Sequence, residues 1–81
     1  MKSREEIEFA VDNILMKLME IGPDEVGLAE REKTTRWSSL MHIEVFFALE
    51  EEFDLRFADD EMAFAESRND LVEIVLAALM K

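Results

Sequence analysis

Ser39 and His42 stand three positions apart, a spacing that places a hydroxyl and an imidazole on one face of a helix. A Ser-His-acid triad has no other histidine to use, since His42 is the only one in the chain. No third group is apparent, and no glycine-rich turn surrounds the serine to form an oxyanion site. His42 is therefore read as an exposed or partly buried helical residue. The acidic run Asp59-Asp60-Glu61 suggests calcium, but a loop counted from Asp54 puts Arg56 at the third position and Asp59 at the sixth. An EF-hand needs an oxygen ligand at the third and glycine at the sixth. Glu50, Glu51 and Glu52 are consecutive, so they point different ways around a helix and read as a solvated face. Gly22 and Gly27 are the only glycines, too few for a phosphate-cradling loop, and cysteine is absent. The expectation is a chain without catalytic or metal-ligating residues, not an enzyme.

With 81 residues, stability has to come from packing, and 49% apolar residues suffice for one core. Twenty acidic against nine basic residues give a net charge of -11. Such a surface repels nucleic acid and anionic membranes, and it suits basic protein partners, whose approach opposite charge speeds and orients. Acidity also serves plain solubility. The start of the chain lacks a signal-peptide core and no apolar run reaches membrane-spanning length, so a cytoplasmic protein is expected. A monomer is expected, with self-association through an outward Leu40-Ile43-Phe47 stripe left open.

The elements follow from spacing. Ser3 with Glu6 forms a capping box, and Ile7, Ala10, Val11, Ile14, Leu15 and Leu18 recur at helical intervals. Gly22-Pro23 is read as the stop, with glycine in the left-handed cap conformation. Residues 24–37 read as a long loop anchored by Val26 and Leu28, with a helical turn over Ala29–Lys33. A second helix starts at Ser38-Ser39, either of which can cap it, and runs to about Phe53. A short acidic helix around Asp59–Phe64 and a final helix opened by Ser67 and Asp70 complete an all-α string of three longer helices and one short one. No alternating run suggests a strand.

The second helix is apolar over too wide an arc for one core. Val45, Leu49 and Phe53 form one stripe with Phe46 beside it, and Leu40, Ile43 and Phe47 form another. The surplus stripe, bordered by glutamates, marks a contact surface.

Ser38-Ser39-Leu40 at the head of this helix and Leu49-Glu50-Glu51-Glu52-Phe53 at its end, at ungapped spacing, resemble the second helix of the acyl carrier proteins and related peptidyl carriers. The resemblance is strong over residues 38–57, weak in the long loop, and points to a specialised or divergent member. It implies an acyl-carrier-like four-helix bundle covering residues 1–81, with a long loop between the first two helices. It implies 4′-phosphopantetheine, taken from coenzyme A by a carrier-protein synthase, on Ser39. Acyl groups would ride on that arm as thioesters, in fatty-acid- or polyketide-type biosynthesis. Leu40, Ile43 and Phe47 would be apolar partner contacts, with Glu44, Glu50 and Glu51 meeting basic residues of the partner enzymes. Val45, Leu49 and Phe53 would be core and line the space that shelters an acyl chain.

This chain departs from the family pattern at several places. Ser38 stands where the family has aspartate, and Thr34-Thr35-Arg36-Trp37 replaces the usual small approach. Ser38 offers a second hydroxyl, although the spacing to Leu40 points to Ser39. Trp37 is read as packing on helix ends, and Arg68 as shifting the start of the last helix. The alternative function is a carrier fold without the arm, working as an acidic interaction module.

Overall fold

Ser3 opens the first helix as its spacing predicts. Its Oγ accepts the Glu6 N–H at 3.2 Å, and Glu6 Oε1 accepts the Ser3 N–H at 3.3 Å. The computed structural model describes residues 3–80, and from this cap α1 runs over Arg4–Met19. Ile7, Val11, Leu15 and Met19 are its buried residues, with Ala10, Ile14 and Leu18 packed at the edge of the core.

The stop is not where glycine chemistry suggests. Glu20, not Gly22, takes the left-handed conformation, at φ 55° and ψ 44°. Gly22 instead caps the start of an unexpected one-turn helix, α2, Pro23–Val26. Proline fits its first turn because the N–H it lacks has no helical partner there. The predicted loop thus contains a fifth helical element, anchored by Val26 as expected. Leu28 is no anchor, being 80% exposed; Ala29 and Trp37 are buried instead.

Backbone hydrogen bonds hold the rest of this connection in place. Arg31 N–H reaches the Glu66 carbonyl at 2.8 Å, and Arg68 N–H reaches the Ala29 carbonyl at 3.0 Å. Thr34 N–H closes a helical turn on the Glu30 carbonyl at 2.8 Å. The Glu30–Ser67 pairing is an isolated bridge, and no strand occurs among the described residues.

Helix α3 spans Ser39–Phe53, α4 Asp59–Phe64 and α5 Arg68–Leu79. Ser67 Oγ accepts the Asp70 N–H at 3.2 Å, while the Asp70 carboxylate accepts from Glu66 N–H. The second capping box is therefore offset by one residue. Arg68 makes a two-pronged bond to the Asp12 carboxylate at 2.7 and 2.9 Å, fastening the head of α5 to the middle of α1. Such a paired geometry suits guanidinium and explains why a cation stands there.

The result is a small all-α bundle in which α1 packs against α2, α3 and α5. Its core is drawn from all three longer helices and from Trp37, Phe57 and Ala65 of the connections. Among the described residues no helix is long and apolar enough to cross a membrane.

Candidate functional site at the head and outer face of α3

Two adjacent serines begin α3, and the backbone distinguishes them. Ser38 is extended at φ −78° and ψ 172°, and its hydroxyl accepts the Met41 N–H at 3.1 Å. Ser38 is therefore the cap. Ser39 is the first helical residue and is exposed, so its hydroxyl is left outside the capping bond. No carboxylate lies in the first turn of α3, whereas the first turns of the other four helices each carry one or more. The positive end of the α3 dipole is thus uncompensated by its own side chains.

Beside Ser38 and Ser39 lies a shallow cleft of about 430 Å³, completed by Arg31, Glu32, Trp37 and Glu66. Arg31 reaches it from the connection pinned to Glu66, and its guanidinium also lies 3.4 Å from the Ala65 carbonyl. The cleft brings a cation and a hydroxyl to the same helix end. Arg31, Glu32 and Glu66 were not among the residues singled out from sequence. Their placement depends on contacts between segments more than thirty residues apart, which no local pattern encodes.

The wall of the cleft is held by two hydrogen bonds. The Trp37 indole N–H donates to His42 Nδ1 at 3.0 Å, and His42 Nε2 lies 2.7 Å from the Met62 carbonyl. Indole nitrogen only donates, so Nδ1 must be bare, and Nε2 must carry the proton it gives to Met62. His42 is consequently a neutral, buried link between the pre-α3 connection and α4, more enclosed than its sequence reading. Burial lowers its pKa below 6.5, the Met62 carbonyl acts against that shift, and the Arg31 charge reinforces it. Ring contacts continue inward from Trp37 to His42, Phe46 and Phe57, with centroid separations of 5.9, 5.1 and 5.4 Å. Trp37 packs, as its size suggests, and carries the hydrogen bond that buried indole needs.

Below Ser39 the two stripes of α3 separate as their spacing predicts. Val45, Phe46, Leu49 and Phe53 are buried, while Leu40, Ile43 and Phe47 are 67%, 47% and 63% exposed. The outer stripe is flanked by exposed Glu44 and Glu51. Glu50 differs from them, because it is half-buried and its carboxylate accepts the Phe57 N–H at 2.9 Å. One oxygen of Glu50 therefore holds the α3–α4 connection.

The two chemical sites considered from sequence, the Ser39–His42 pair and the Asp59-Asp60-Glu61 run, resolve differently. His42 Nδ1 is occupied by Trp37, so it is not free to take a proton from Ser39. Asp59, Asp60 and Glu61 lie in the first turn of α4, where Glu61 accepts the Ala58 N–H at 3.0 Å. Among the described residues no three His, Cys, Asp or Glu side chains are grouped closely enough to hold a metal ion. No protein-family model matches this chain, and no curated protein matches it closely enough to count as a relative.

Proposed function

We propose that this chain is a carrier protein of the acyl-carrier type, bearing 4′-phosphopantetheine on Ser39 and docking to basic partner enzymes through the outer face of α3. The observation that carries this reading is a single one: an exposed serine begins a helix whose outward flank is apolar and acid-bordered. A phosphodiester on Ser39 would meet the positive end of the α3 dipole, which has no acid of its own. Arg31 lies in the same cleft and supplies positive charge, opposed by the carboxylates of Glu32 and Glu66. The fit to the group therefore lies in the exposed hydroxyl of Ser39 and the open positive end of α3.

When bound, the arm supplies a terminal thiol that holds acyl groups as thioesters. The protein's own contribution is tethering and presentation, which raise the local concentration of cargo at a partner's active site. Leu40, Ile43 and Phe47 supply apolar contact area. Glu44 and Glu51 orient the encounter, and Glu50 contributes charge while it braces the α3–α4 connection. Val45 and Leu49 are fully buried and the neighbouring interior is filled by Trp37, His42, Phe46 and Phe57. This favours a cargo carried at the surface over one threaded into the core.

The test is intact mass after incubation with coenzyme A and a broad-range carrier-protein synthase. A gain of one phosphopantetheine, absent from Ser39→Ala, is expected. No gain, or a gain kept by Ser39→Ala, overturns the assignment.

A second reading, the same fold without the arm, is favoured by the neutral residue at position 38. Ser38 caps α3, as an aspartate also could, while omitting the carboxylate that the synthase meets in the family. On this reading Ser39→Ala leaves partner binding and cellular function intact, and charge reversal at Glu44 abolishes both.

A further inference from the structure

A trough runs between α1 and α3 on the side away from the aromatic interior. We infer that it is a docking site for a basic amphipathic helix of a partner protein, distinct from the outer face of α3. Two clefts, of about 700 and about 420 Å³, share Ile14, Lys17 and Glu52 and so form one continuous depression. Its floor is apolar, built from Phe9, Ala10, Ile14 and Leu18 of α1 and Ala48 of α3. Phe9 is 61% exposed, on a helix whose inward positions are already filled by Ile7, Val11 and Leu15. An aromatic ring held out in this way adds nothing to the core and offers an anchor for a partner.

Charge selects the occupant. The rim carries Glu5, Glu6, Glu51 and Glu52, and Lys17 is the one cation among the described residues that line the trough. A second copy of this chain would bring acid against acid, since its net charge is -11. Anionic lipid and nucleic acid are repelled on the same ground. A helix with an apolar stripe and lysine or arginine flanks matches both floor and rim. The lining runs along α1 from Ser3 to Leu18, about 22 Å or roughly four turns of a docked helix, with Ala48, Glu51 and Glu52 as the wall on α3.

The test is titration of the isotope-labelled full chain with a synthetic amphipathic peptide of about four helical turns, carrying leucine at helical spacing and lysine on its flanks. Amide shifts should centre on Phe9, Asn13, Ile14 and Ala48, and affinity should fall as salt is raised. Phe9→Ser and, separately, Glu52→Lys should each weaken binding about tenfold or more without changing the melting temperature, and Ser39→Ala should leave it unchanged. Should Phe9→Ser fold poorly, Glu52→Lys alone decides. Shifts centred on Leu40, Ile43 and Phe47, no binding, or equal binding by a peptide with glutamate in place of lysine would each overturn the proposal. None of these outcomes depends on whether Ser39 bears an arm.

Discussion

Three neighbouring pairs of identical residues, one at the head of α3 and two along it, divide their work between holding the fold and facing outward. Ser38 caps the helix while Ser39 is exposed; Phe46 is fully buried while Phe47 is 63% exposed; Glu50 braces Phe57 while Glu51 faces solvent. Composition is matched within each pair; the phenylalanines and glutamates differ in position along the helical arc, whereas the two exposed serines differ in backbone conformation. One step of about 100° moves a side chain from the folding face to the recognition face. The inner member of each pair is expected to govern stability and the outer member partner binding or modification.

The phenylalanines provide the largest expected contrast. Phe46→Ala should reduce the unfolding free energy by about 3–5 kcal/mol in urea titration, whereas Phe47→Ala should change it by no more than about 0.5 kcal/mol. Comparable losses from the two would end the division of labour.

Next comes the buried imidazole on the inner face. Trp37→Phe removes the donor to His42 Nδ1 and should cost about 1–3 kcal/mol. The pH dependence follows from the direction of the His42 shift. Its folded-state pKa lies below 6.5, so the unfolded chain binds the proton more readily. The stabilisation is complete above the unfolded value and is lost as pH falls through the folded one. Between about pH 7.5 and about pH 5.5, wild type should lose more stability than His42→Phe; a variant that tracks wild type would show that the imidazole takes up its proton as readily in the folded chain as in the unfolded one.

The serines separate more gently. Ser38→Ala should cost about 1 kcal/mol through the lost cap, and Ser39→Ala should leave the melting curve where it is. A destabilised Ser39→Ala would mean that its hydroxyl is engaged and not free. Smallest is the glutamate pair: Glu50→Gln keeps an acceptor for Phe57 but loses the charge, costing about 0.5 kcal/mol, and Glu51→Gln should be silent. The two are separable by thermal melts at low salt.

Much of this division was legible before any coordinates. The limits of α3, the inward Val45-Leu49-Phe53 stripe and the outward Leu40-Ile43-Phe47 stripe all follow from helical period. The Ser3–Glu6 box was equally plain, because both partners lie within one turn. What escaped was set by segments far apart in the chain. Leu28 reads as a better anchor than Ala29, yet the backbone bonds of Ala29 and Arg31 to Arg68 and Glu66 orient the connection so that Leu28 points outward. Glycine reads as the left-handed stop, yet Glu20 takes that conformation and Gly22 is used to start α2.

The location of α1, α3, α4 and α5, the two-faced character of α3 and the acidic border belong to the sequence by itself, since each depends on side chains within a few residues of one another. The choice of Ser38 over Ser39 as cap, the tautomer of His42, the Arg68–Asp12 clasp and the placing of Arg31 beside Ser39 belong to the tertiary structure. Equivalent hydroxyls differ only in backbone conformation, and donors and acceptors find their partners only once distant segments pack. Local free energies choose the helices, and the meeting of those helices chooses which atoms remain free for chemistry.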